Sequence, residues 1–111
     1  MKVGGRHSVV SWRNVHLGLS AGCDLVTFST SSGLQGGIRS SDRRTFIELG
    51  TMILFVLRKC VKSKKSVDQA CREASLKFKI PPGKVERNMR RVLKALMEER
   101  VILPVAWKVQ A

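Results

Sequence analysis

The sequence predicts a mainly α fold: a three-helix helix-turn-helix or winged-helix-like domain over residues 43–111, ending in an edge strand. A Gly/Ser-rich N-terminal region and linker, residues 1–42, precedes it. Three observations carry this expectation. Seven of the nine glycines lie at or before Gly37, whereas all three prolines lie beyond Lys79. Apolar residues after position 44 recur at three- and four-residue steps, the helical period. The formal charge of +13 on 111 residues is divided unevenly, with +3 on residues 1–40 and +10 on the remainder.

Val9–Leu19 and Leu25–Phe28 have weak strand character, with Gly18, Ser20 and Gly22 near their join, so this region is either a marginal hairpin or disordered. The run Ser29–Ser41, STSSGLQGGIRSS, has the composition of a flexible linker. Ser41 and Asp42 then stand as N-cap candidates, and Thr45 with Glu48 has capping-box spacing. Phe46, Leu49, Ile53, Val56 and Cys60 recur helically, which predicts a first helix over roughly 44–60. Its remaining positions are largely apolar too (Ile47, Met52, Leu54, Phe55, Leu57), as in a helix central to its core.

A basic connector, Lys62-Ser-Lys-Lys-Ser66, leads to a second helix capped by Ser66, with Val67, Ala70, Cys71, Ala74 and Phe78 on one face. Ile80-Pro81-Pro82-Gly83 ends it, and Pro82 suits the first turn of a third. At about 100° per residue, Val85, Met89, Val92, Leu93, Leu96 and Met97 gather on one arc of that third helix. Lys84, Arg87, Arg90, Arg91 and Lys94 gather on the opposite arc, with the acids Glu86, Glu98 and Glu99 near the ends. The alternation Val101, Leu103, Val105, Trp107, Val109 reads as a strand, and Pro104 makes it an edge.

The charge and its arrangement narrow the function classes. A chain this basic attracts polyanions. With four Phe, two Trp and no Tyr it lacks the aromatics of a base-stacking single-strand binder. Exposed faces of soluble helices usually mix charge signs, whereas Arg87, Arg90, Arg91 and Lys94 follow one another without an acid, and an anionic ligand would relieve their repulsion. The order of helices points to a second helix crossing a duplex backbone and a third entering the major groove. The expected nucleic-acid contacts are Lys84, Arg87, Asn88, Arg90, Arg91 and Lys94, with Lys62, Lys64 and Lys65 of the connector. Asn88 is the one amide there able to read an adenine edge, so largely non-specific binding is expected. Duplex DNA is the leading partner; RNA through the same face is the alternative.

From about Arg44 to Val109 the chain resembles the globular winged-helix domain of linker histones. The likeness lies in the apolar first helix, the connector Lys62–Ser66, and the stretch Asn88-Met-Arg-Arg-Val-Leu-Lys-Ala-Leu-Met-Glu-Glu-Arg-Val-Ile102. It implies binding to duplex DNA in nuclear chromatin, with Lys84, Arg87, Arg91 and Lys94 as contacts. The second wing strand and the Lys/Ala/Pro-rich tail of that family have no counterpart in this sequence.

No catalytic or metal site and no cofactor is predicted. His7 and His16 lack metal-ligand spacing, the eight acids are scattered, and no phosphate-loop motif is present. Cys23, Cys60 and Cys71 suit a reducing compartment, the last two as packing residues on helix faces. No run approaches the ~18 apolar residues of a membrane span. Residues 1–40 are basic, Ser-rich and acid-poor, which leaves a mitochondrial transit segment as the alternative to a nuclear location. A protein-interaction subunit using the apolar first helix and the Trp107 strand edge is the competing function.

Overall fold

The computed structural model describes residues 15–40 and 44–105. Their architecture is α+β rather than mainly α, with three helices and two small antiparallel sheets around one core. The strands are β1 (His16–Leu19), β2 (Cys23–Thr30), β3 (Gly33–Ser40), β4 (Thr45–Glu48) and β5 (Ile102–Val105). The helices are α1 (Thr51–Val61), α2 (Val67–Phe78) and α3 (Pro82–Glu98). One sheet pairs β1 with β5; the other has the order β2-β3-β4.

The expected linker is the turn and second strand of the β2–β3 hairpin, a correction with a specific physical cause. Ser31 and Ser32 form its two-residue turn, where the Thr30 hydroxyl donates to the Gly33 carbonyl (3.0 Å) and accepts from the Ser32 amide (3.1 Å). Gly36 adopts φ +141°, and a Cβ there would lie 1.9 Å from the Val26 carbonyl oxygen; one on Gly37 would lie 2.0 Å from that of Ile47. These glycines serve close strand approach, not flexibility. Leu25, Ile38 and Ile47 lie opposite one another across the three strands, and Leu17, Leu25 and Ile38 share a core with Leu54, Leu57, Met89 and Leu93.

The first helix begins later than its apolar run suggests. Residues 45–48 form β4 instead, and the Thr45/Glu48 spacing belongs to a strand with Ile47 turned toward Ile38. The β-branched and aromatic residues Thr45, Phe46 and Ile47 favour an extended chain that has a partner strand available. Gly50, itself extended, precedes α1, and the Thr51 hydroxyl donates to the Leu34 carbonyl at 3.1 Å. Ser41 and Asp42 lie outside the described residues. The apolar excess expected to serve a partner is used internally: Leu57 is fully buried, and the Phe55 ring meets that of Phe78 edge-on at 5.5 Å.

The rest follows expectation more closely. The Ser66 hydroxyl accepts from the Gln69 amide (3.2 Å), and Val67, Ala70, Cys71 and Ala74 are buried. Burial pushes the Cys60 and Cys71 thiols up to about 12, so both are packing groups rather than nucleophiles. Pro82 opens α3 in its first turn. β5 buries Ile102, exposes Leu103 and Pro104 and half-buries Val105, so the alternation expected from Leu103 and Val105 does not hold; Trp107 and Val109 lie outside the described residues. Because the Ser20 amide donates to Val101, Pro104 opposite Leu17 falls at a non-bonded position where its missing N–H costs nothing. The partner of β5 is the N-terminal β1, so this sheet is not a hairpin wing following α3.

Candidate nucleic-acid interface

Helix α3 is positioned from one side. Val85, Met89, Leu93 and Leu96 are buried, with Val92 and Met97 packed at their margin. That burial fixes the opposite arc outward, and Lys84, Arg87, Asn88, Arg90, Arg91 and Lys94 are all exposed. The structure therefore brings the six expected helix residues onto one solvent-facing surface. Lys84, Arg87, Arg91 and Lys94 form no ion pair among the described residues. Arg90 differs: its guanidinium lies 3.3 Å from Glu86, one turn earlier. An exposed i,i+4 pair of this kind contributes roughly 0.3–0.5 kcal/mol, weak enough for a phosphate to displace.

The connector is less uniform than its sequence. Lys65 reaches Glu73 on α2 at 2.9 Å, and Lys59 of α1 reaches the same carboxylate at 3.3 Å. The Lys65 hydrogen bond, with help from Lys59, holds the Glu73 carboxyl below its ordinary range. Lys65 thus ties the connector to α2, while Lys62 and Lys64 stay exposed. Lys59 also sits 5.3 Å from the Phe55 ring centre, and Lys77 sits 5.8 Å from it. Neither lysine was part of the expected site.

Two exposed cations flanking α3, Lys79 before it and Arg100 after it, also lay outside the expected set. The sequence offered no local signal for them, because neither α2 nor α3 ends on the glycine that commonly marks a helix terminus. His16 is half-buried in β1, and its Nδ1 is enclosed without a hydrogen-bond partner among the described residues; His7 lies outside the described residues. No group of His, Cys, Asp and Glu able to hold a metal ion occurs among the described residues. A cavity of about 50 Å³, lined by Val67, Asp68, Cys71, Arg72, Pro82 and Glu86, has room for a water or two. No helix among the described residues is long and apolar enough to cross a membrane. No protein-family model, curated protein or solved structure matches this chain.

Proposed function

We propose that this chain binds duplex DNA, with little sequence specificity, through the exposed arc of α3. The observation that carries the reading is the row Lys84, Arg87, Arg91 and Lys94: four cations on one face, exposed, without ion pairs among the described residues, backed by a buried apolar face. Lys84 to Lys94 covers about 15 Å of helix, and a helix 10–12 Å across fits a major groove about 12 Å wide. Asn88 beside this row is the candidate for contact with a base edge. The nuclear, chromatin-associated setting comes from the likeness to linker-histone domains alone.

The test is a titration of the wild-type chain on two unrelated duplexes across a range of salt. The four phosphate contacts of this row contribute about −3.6 to the slope of log affinity on log salt, at about −0.9 per contact. The two sequences should bind alike. A slope near zero would remove the reading, and tighter binding to a structured RNA at the same salt would move it to the RNA alternative.

A second reading, a protein-interaction module, is favoured by the side of β4 that has no strand partner among the described residues. Leu49 donates to Gly36, so Thr45 and Ile47 occupy bonded positions and the amides of Phe46 and Glu48 point toward the open edge. Phe46 and Phe28 are 51% and 52% exposed, on the sheet face opposite the core row. Such an edge suits addition of an extended peptide strand. Amide NMR with a panel of apolar extended peptides should shift Phe46 and Glu48 first; a panel that leaves both unmoved rules this out.

A further inference from the structure

Among the described residues, every non-glycine in the left-handed backbone region is a cation: Arg44 (φ 55°), Lys64 (56°), Lys79 (56°) and Arg100 (62°). This conformation brings Cβ against the backbone, and glycine or asparagine holds it at least cost. Two of the four positions are dictated by helix termination. At the end of α2 the Ile80 amide donates to the Ser75 carbonyl at 3.2 Å; at the end of α3 the Val101 amide donates to that of Leu96 at 3.1 Å. Both arrangements place the preceding residue, Lys79 or Arg100, in the position that usually carries glycine.

A cation near a helix C-terminus is favoured by the helix dipole, which offers a competing account. For Lys79 that account does not require the strained position, since Lys77 already serves the last turn of α2, whereas the last turn of α3 has no basic residue and Arg100 also suits its dipole. The dipole account does not reach Arg44, which precedes a strand. Residues in costly conformations persist where the surrounding structure enforces them, and they cluster at functional surfaces. Lys79 and Arg100 are exposed and form no ion pair among the described residues. They stand just beyond opposite ends of a helix of 17 residues, about 25 Å long. A straight helix of this length outruns the curving major groove it lies in, so its ends leave the base edges and approach the bounding phosphates.

We infer that Lys79 and Arg100 are phosphate contacts flanking α3, kept as cations where the backbone favours glycine; the inference rests on the duplex-binding reading. The test replaces each with glycine, Lys79→Gly and Arg100→Gly, singly and together, in the full chain. The melting temperature should not fall, because glycine suits both positions. Duplex affinity near 0.15 M salt should fall about fivefold for each single variant and about thirtyfold for the double. The salt slope should become shallower by about 0.9 per residue, a change that a purely structural role would not produce. Lys79→Arg should keep the wild-type slope. A double variant with wild-type affinity and slope would overturn the inference while the parent reading stands. A wild-type chain without salt-dependent duplex binding removes both.

Discussion

Replacing Arg87, Arg91 and Lys94 together with glutamine is expected to weaken duplex DNA binding roughly 100-fold near 0.15 M salt. Each phosphate contact releases about 0.9 of a counterion, which at this salt makes about a fivefold difference. Three contacts compound to roughly two orders of magnitude, or about 2.7 kcal/mol. The salt slope should become shallower by about 2.7 over the same range. Glutamine preserves helix propensity, and none of the three side chains holds an ion pair among the described residues, so the fold has little to lose. The variant should melt within a few degrees of wild type, because removing neighbouring like charges offsets the lost side-chain packing. The weakening should be equal on unrelated duplexes, as expected for contacts to phosphate and not to bases. Unchanged affinity in a folded triple variant would eliminate α3 as the binding surface.

The second large effect concerns stability. Ile38→Ala should cost about 3 kcal/mol, lowering the melting temperature by about 12 °C. Ile38 is 1% exposed and lies opposite Leu25 on one side and Ile47 on the other, so truncation leaves a cavity that rigid neighbouring strands cannot fill. A position in a flexible linker would show no measurable change. Thermal or urea unfolding distinguishes these outcomes, and a loss below about 0.5 kcal/mol would mean that β3 contributes little to the core.

The helices were legible where local chemistry and tertiary demand agree. Ser66 caps α2, Pro82 opens α3, and the two arcs of α3 separate because burial and exposure sort the same residues that the helical period groups. Misreadings fell where one local pattern serves two structures. Thr45 and Glu48 are spaced for a capping box, yet the same residues extend once β3 offers a partner. Gly36 and Gly37 have a linker's composition, but their role lies in carbonyls that approach from β2 and β4. In the candidate site, the Arg90–Glu86 pair was within reach of i,i+4 reasoning. The Lys65–Glu73 pair depended on how the connector folds back onto α2, and the left-handed Lys79 and Arg100 lacked the glycine that would have marked them.

By itself the sequence determined the second and third helices, the cationic arc and the size of the charge, because helical periodicity and charge are properties of neighbours along the chain. Only the tertiary structure decided that residues 33–40 and 45–48 are strands, that the weak strand character within 16–19 and 25–28 becomes β1 and part of β2, that β5 pairs with β1, and which cations are tied to acids. Strand pairing and ion pairing join residues distant in the chain, and their free energy exists only once the partner has been brought into place.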